Sequence, residues 1–550
     1  VTYLSKKMNP PLPFKHTADS ASRSETIRAI QTAEPFDIVV IGGGIHGAAV
    51  ARLAAGCGFK TALLEKGDYA SATSSRSSKM AHGGLRYLEL LDFEQVFEGI
   101  KAREEMFDNI GYLVKPTSFL IPVPKGALFL KLKLALGLFL YDLLVKKKER
   151  KHRWIPRSEL SFEGFHKDRS ELMGCFLYTD GIMSDTRMVI DNILGARRYG
   201  AACLNYCEVK SLNRSEDGIS EIKALDVLSG NGITTHARLV INCAGPWAST
   251  LATTLGAEPH PLTFSRGSHI IFNRPWKGPS LFLPMPGKAR YYFVWPHPAG
   301  TLVGTTEREV SQIELDPLPS QDEIEEILGR LAKDIPDAGL TRDNACYAFS
   351  GIRTLPIRGK KGTSSTLSRK HIWTHSNGVL SLLGGKYTTA SWTATEGIRE
   401  AARLLRRPQA LEALKQRRDL KELPGSAAEA TTCALERDLV ERGLSIETAH
   451  RLISRYGRRL VEQYRELIES SPEKTVALET MIALDTEQVE TLEDLMRRRL
   501  ELEYLEGHGE EHLPIIRTIF ESMRPDINFD KEIERYRARM TLIDELIHAR

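Results

Sequence analysis

The sequence predicts an α/β fold: a Rossmann-like dinucleotide-binding domain interleaved with an antiparallel-sheet domain, followed by a helical C-terminal domain. Three observations carry that expectation. Residues 36–65 read as one complete β-α-β unit around a glycine turn, and two later buried-strand patterns, 238–243 and 379–383, also run into glycines. Between those strands lie segments of alternating or β-branched and aromatic residues, at 269–272, 291–295 and 301–304, which suit an antiparallel sheet. After Pro424 the composition turns to long charged helices such as 487–506.

Taken in order, residues 1–35 read as a tail. They carry Pro10, Pro11 and Pro13 and then a Ser/Thr-rich run, without the apolar core of a secretory signal, so a cytoplasmic location is expected. FDIVVI (36–41) is a nearly continuous apolar run, as a parallel strand buried on both faces should be. The turn IGGGIHG follows. Gly42 permits the tight turn, Gly44 lets the backbone approach a pyrophosphate, and Gly47 lets the helix pack on the strand. The helix N-terminus then offers N–H groups and a positive dipole end to phosphates. Glu65, closing the second strand, is placed to accept hydrogen bonds from a ribose, and its charge disfavours a 2′-phosphate. His46, inside the turn, reads as merely tolerated. The turn's early position and the late glycine pair Gly384-Gly385 favour FAD over NAD as the dinucleotide.

Boundaries follow from these patterns. An FAD-binding domain spans 36–420, interrupted by a substrate domain at about 115–165 and 255–345, and a helical domain covers 425–550. A chain of 550 residues is too long for one core. Its 75 basic and 71 acidic residues nearly balance, which argues against a nucleic-acid binder. Seven scattered cysteines without a CxxC pair read as free thiols in a reducing compartment, and no metal site is suggested.

One stretch departs from an ordinary soluble pattern. Residues 127–144, ALFLKLKLALGLFLYDLL, precede the basic run Lys146, Lys147, Lys148, Arg150 and Lys151. Lys131, Lys133 and Asp142 make a poor membrane span. Two readings stand: a helix lying in the membrane interface with its basic flank on anionic lipid, which would make 127–151 a peripheral contact on the inner membrane's cytoplasmic face, or a helix packed on the body.

The segment TSSRSSKMAHGGLRYL (73–88) resembles the signature of FAD-dependent glycerol-3-phosphate dehydrogenases, in the D-amino-acid oxidase and glycine oxidase superfamily. YTDGIMSDTR, NCAGPW, RGSH, GTTE, SGIRTL and GGKYTT follow in that family's order, and TLEDLMRRRL resembles a block of its helical domain. The similarity covers 36 to about 505. It implies oxidation of sn-glycerol 3-phosphate to dihydroxyacetone phosphate, with hydride passing to the flavin. Cofactor contacts are expected at Gly42, Gly44, Gly47, Glu65, Lys66, Thr73, Ser74, Ser75, Ser78, His82, Gly83, Gly84, Gly245, Gly384, Gly385, Lys386 and Thr388. Substrate contacts are expected at Arg86, Tyr87, Arg369 and Lys386, because a phosphate dianion calls for converging cations. His269 and Arg353 are the catalytic candidates. The histidine is the first choice of base, since imidazole titrates nearest neutral pH, and the arginine is the alternative that stabilises a developing alkoxide. Thr354 stands where the family usually has proline, and Arg266 where lysine is common; neither removes a charge.

The electron acceptor is expected to be a quinone. Molecular oxygen, giving a peroxide-releasing oxidase, is the alternative. An amine or amino-acid oxidase of the same fold is a further reading, disfavoured by clustered cations with no anion for a substrate amine. A flavin-binding protein without turnover is the last. Oligomeric state is open: Arg497–Arg499 would suit either a homodimer contact or a solvated face.

Overall fold

A computed structural model of the chain describes residues 22–85, 92–145, 147–160, 171–285, 290–357, 370–470 and 475–549. Helix α1 (Arg23–Ile30) lies inside the stretch expected to be a tail. Ser22 and Glu25 cap it reciprocally, Thr26 and Ile30 are buried, and Arg23 Nη2 pairs with Asp226 Oδ1 at 2.5 Å. A capping box and two apolar anchors, Ile27 and Ile30, suffice to dock it.

The β-α-β unit is as expected: β1 (Phe36–Ile41), α2 (Ile45–Gly56) and β2 (Thr61–Leu64), with β1 buried throughout. The second sheet's first strands follow, β3 (Met80–Ala81), β4 (Val114–Pro124), β5 (Arg153–Pro156) and β6 (Leu172–Met183). The chain then returns to the first sheet with β7 (Ala202–Leu204), β8 (Cys207–Arg214), β9 (Ser220–Asp226) and β10 (Gly232–Asn242). It leaves again for β11 (Leu262–Phe272), β12 (Ser280–Met285), β13 (Arg290–His297), β14 (Gly300–Gly304), β15 (Arg308–Val310) and β16 (Ala345–Pro356), and closes the first sheet with β17 (Ile372–Ser376) and β18 (Val379–Leu383).

The first sheet has the order β17-β18-β10-β1-β2-β7, with β8 and β9 attached beside β10. Its core is parallel: β1 pairs with β10 and β2, and β10 with β18. The ends of β1, β10 and β18 therefore deliver Gly42, Ala244 and Gly384 to one edge. The second sheet is antiparallel except where β12 meets β4. It is larger than the sequence suggested, since β6 and β16 lie outside the expected 115–165 and 255–345 limits. Both are mainly apolar runs whose sheet membership is decided by partners, β4 and β11, distant in sequence.

The helix Leu128–Asp142 satisfies parts of both readings of its segment. Leu134, Leu138 and Tyr141 are buried against the body. Phe129, Leu132, Leu136, Phe139 and Leu143 form an exposed stripe at helical spacing, and Phe129 is 81% exposed. In the basic flank Arg150 pairs with Glu104 and Lys147 with Glu429, so those charges are partly committed. Among the described residues no helix is long and apolar enough to cross a membrane.

Beyond Pro424 the chain is helical, from Glu429–Glu441 to the last helix, Phe529–His548. Residues 487–506 are not the long charged helix the composition suggested. Asp494–Arg499 is a short π-helical turn followed by 3-10 turns, and Arg497, Arg498 and Arg499 are buried. They are neither a solvated face nor a free subunit contact, because each is paired internally. Arg499 meets Asp68, Arg498 meets Asp68 and Asp494, and Arg497 meets Asp316, Glu493 and Glu503.

Candidate functional site

A single cavity of about 580 Å³ runs from the glycine turn of the first sheet to the inner face of the second. At the turn, glycine is required by contact. A Cβ on Gly42, whose φ is +109°, would lie 2.5 Å from the Cys243 carbonyl oxygen, and one on Gly47 only 1.9 Å from the Gly42 oxygen. Gly44 N-caps α2 without a side-chain hydrogen bond. The Ile45 N–H donates to Ser74 Oγ at 3.0 Å, which brings the segment 73–78 across the helix N-terminus.

Glu65 is half-buried and lines the cavity. Its carboxylate accepts the Gly43 N–H at 2.6 Å and the Gly67 N–H at 2.8 Å. Burial pushes its pKa up, and those two N–H groups oppose the shift. Beside it Lys66 Nζ sits 3.8 Å over the Trp247 ring, so the adenosine end of the cavity has a cation–π wall. Trp247 was not among the expected contacts, although it lies in the NCAGPW block.

His46 does more than occupy the turn. A Cβ on Gly385 would lie 2.6 Å from His46 Nε2, so the loop carrying Gly384, Gly385 and Lys386 closes directly onto the imidazole. Its ring is hydrogen-bonded to the Lys386 backbone, and burial lowers its pKa to about 4. Its buried Nε2 has no hydrogen-bond partner. His82 and Thr388 meet where the His82 N–H donates to Thr388 Oγ1 at 3.3 Å.

At the other end, β11 presents His269 between two strands. Gly304 of β14 and Phe349 of β16 are its cross-strand partners. The imidazole stacks on Phe349 at 4.9 Å, and its Nε2 lies 2.9 Å from Ser78 Oγ. A Cβ on Gly304 would fall 2.2 Å from His269 Cδ2, so this glycine makes the space the ring occupies. Burial, then the charges of Arg353 and Lys79, push the pKa down to about 3. That corrects the expectation of a titration near neutrality: the imidazole is neutral across the physiological range. Arg353, on β16, donates from Nη2 to Thr305 Oγ1 at 2.8 Å. Gly267 makes room for its guanidinium, since a Cβ there would lie 2.3 Å from Nη2.

The cavity thus gathers Gly42, Gly44, Glu65, Lys66, Thr73, Ser74, Ser78, His82, Gly84, Gly245, Gly384, Gly385, Lys386, Thr388, His269 and Arg353. Three expected contacts lie behind its wall. Gly47 acts through helix packing, Ser75 bonds back to the Ala72 carbonyl, and Gly83 packs on Tyr141 while donating to Asp180. Arg86, Tyr87 and Arg369 lie outside the described residues. Tyr178, Phe282, Tyr291 and Phe293 also line the redox end and were not anticipated, although the alternating aromatics of 291–295 were the available signal.

The site fits an extended dinucleotide. It combines a glycine turn at a helix N-terminus, a carboxylate and cation–π wall at one end, an aromatic chamber at the other, and unpartnered buried nitrogens, His46 Nε2 and His269 Nδ1, in its wall. Over residues 37–392 the chain matches the family described as FAD dependent oxidoreductase. It is 34% identical over 500 residues to the glycerol-3-phosphate dehydrogenase of Synechocystis sp., covering 84% of this chain and 88% of that protein. Among solved structures, the glycerol-3-phosphate dehydrogenase from Bacillus halodurans complexed with FAD matches with a TM-score of 0.73 at 21% identity, over 96% of this chain and 98% of that one. The L-alpha-glycerophosphate oxidase from Mycoplasma pneumoniae with FAD bound matches with a TM-score of 0.54 at 17% identity, over 68% of this chain and 95% of that one.

Proposed function

From the premise that this chain belongs to the FAD-dependent oxidoreductase family and, within it, to the glycerol-3-phosphate dehydrogenases, we propose that it oxidises sn-glycerol 3-phosphate to dihydroxyacetone phosphate and passes the electrons to a quinone. The observation that carries this reading is the shared cavity of His269, Arg353 and Lys386, which joins a proton acceptor and two cations to the cofactor groove.

FAD, when bound, supplies the two-electron acceptor for a hydride leaving the carbinol carbon. The protein's part is to bind, orient and handle charge. Lys386 and Arg353 offer positive charge to a phosphate dianion or a developing alkoxide, with Arg86 and Arg369 as further expected phosphate contacts and Tyr87 as an expected substrate contact. His269, held by Ser78 and Phe349, presents a neutral imidazole to receive the hydroxyl proton. Burial does most to keep the imidazole neutral, and the charges of Arg353 and Lys79 add to it; entry of a dianion beside Arg353 offsets part of that added positive field and raises the proton affinity of the imidazole. The aromatic chamber of Tyr178, Phe282, Tyr291 and Phe293 excludes water from that transfer.

A quinone acceptor fits a protein resting on a membrane, and the stripe from Phe129 to Leu143 supplies an apolar face for the lipid interface. Molecular oxygen is the competing acceptor, since the Mycoplasma pneumoniae oxidase shares the fold. The test is anaerobic addition of glycerol 3-phosphate to the holoenzyme. The yellow flavin colour should bleach, while glycine and sarcosine leave it unchanged. Persistence of colour with glycerol 3-phosphate overturns the substrate assignment, and fast oxygen consumption with stoichiometric peroxide overturns the quinone.

A further inference from the structure

The wall of the cofactor cavity formed by residues 68–79 is gripped from outside by the C-terminal domain. Its first anchor is Asp68, three residues past Glu65. The Asp68 carboxylate accepts Arg499 Nη1 at 2.7 Å and Nη2 at 2.8 Å, and Arg498 Nε at 2.6 Å. Next to it the Tyr69 hydroxyl donates to Gln488 Oε1 at 2.7 Å. This loop is tied in turn to the glycine turn: Ala70 N–H donates to the Gly43 carbonyl, and Glu65 accepts the Gly43 N–H.

Two further anchors hold the segment's other end. Arg76 and Arg497 share the carboxylate of Asp316. Lys79 Nζ lies 2.7 Å from Asp185 and 3.9 Å from Glu501, and Glu501 pairs with Arg455 at 2.7 Å. Between Asp68 and Lys79 sit Ser74, bonded to the helix N-terminus, and Ser78, bonded to His269. Asp68, Arg76, Lys79, Arg498 and Arg499 are all at most 5% exposed, so water neither screens these pairs nor replaces them cheaply.

We propose that the C-terminal segment 487–501 is a positioning element of the FAD site: it holds the wall 68–79 in its cofactor-binding shape, so that FAD binding and docking of this segment stabilise one another. Arg499 is the principal positioning residue, because its two-point pairing with Asp68 fixes the loop that hydrogen-bonds both sides of Gly43. Coupling of this kind is reciprocal: what the segment contributes to FAD affinity, FAD returns as protection of the segment.

The experiment uses the full-length chain with FAD as probe. Amide hydrogen exchange is compared between holoenzyme and FAD-stripped protein. Exchange at 487–501, remote from any expected cofactor contact, should rise on FAD removal together with that at 42–47 and 65–79. In Arg499→Met, FAD should bind about 10-fold more weakly, within the usual range of coupling strengths. Arg499→Lys, which keeps one charged contact to Asp68, should recover part of that loss. Equal exchange at 487–501 with and without FAD overturns the proposal, whether or not the methionine variant folds. So does unaltered FAD affinity in a folded Arg499→Met protein. Both readouts concern cofactor binding alone, so they stand or fall independently of the substrate.

Discussion

Replacing Gly304 by alanine should cripple the redox end of the site while sparing the nucleotide end. The new methyl carbon would lie 2.2 Å from His269 Cδ2, 2.8 Å from Cγ and 3.0 Å from Nε2. Carbon atoms rest about 3.5–4.0 Å apart, so the ring must retreat by roughly 1.3 Å or more. It is boxed by Phe349 on its stacking face and by Ser78 at Nε2, so the movement breaks the Ser78 contact or unstacks the ring. A misplacement of about 1 Å costs on the order of 100-fold in rate, or about 2.7 kcal/mol of barrier. The assay is anaerobic stopped-flow reduction of bound FAD by glycerol 3-phosphate, with FAD content measured beforehand. Gly267→Ala is the instructive comparison. It crowds the far end of a flexible Arg353 side chain, which can swing aside, so its loss should be smaller. Reduction of Gly304→Ala at a rate within about 3-fold of wild type would refute the placement of His269 at the reacting atoms.

Two further outcomes follow from burial and exposure. His46, His269 and His297 have pKa values lowered to about 4, 3 and 3 by burial. Their contribution to stability is complete above an unfolded value of 6.5 and is lost as pH falls through that value toward 3–4, at up to about 1.4 kcal/mol per pH unit for each. The urea midpoint should therefore drop steeply below pH 6.5, and His297→Asn should make the decline shallower; an identical slope in that variant counts against it. Changing Phe129, Leu136 and Phe139 together to serine removes side chains that would each contribute about 1.5–3 kcal/mol on burial in lipid. Sedimentation with vesicles containing anionic lipid should be lost, and retained binding would exclude this stripe as the contact.

What could be read in advance was local. FDIVVIGGGIHG is a strand, a turn and a helix start in consecutive residues, so its pattern and its structure coincide. The RGSH and SGIRTL blocks were recognisable, but nothing in either says that His269 lies opposite Gly304 and Phe349. That neighbourhood is made by pairing β11 with β14 and β16, and its burial, with the charges of Arg353 and Lys79, turns an ordinary imidazole into a strongly acid-shifted one. The arginine run 497–499 misled for a related reason. Consecutive charges usually face water; here Glu493 and Asp494 pair with Arg497 and Arg498 at helical spacing, but burial is completed by Asp68 and Asp316, which no helical period connects to them. Helix α1 was overlooked because eight residues with two apolar anchors make a weak signal beside a proline-rich stretch.

The parallel sheet has a consequence for the order of events during synthesis. Its central strands β1, β10 and β18 come from widely separated parts of the chain, and two excursions into the second sheet intervene. A nascent chain that has just emitted the glycine turn holds one side of the nucleotide groove and none of the other. The loop Gly384–Lys386 emerges only after every described strand of the second sheet, and Arg499 later still. Non-local pairings of this kind form slowly and leave apolar edges exposed while they wait. The groove that takes the cofactor is therefore complete only when most of the chain has been made, and Gly42, which begins it, waits longest for its partners.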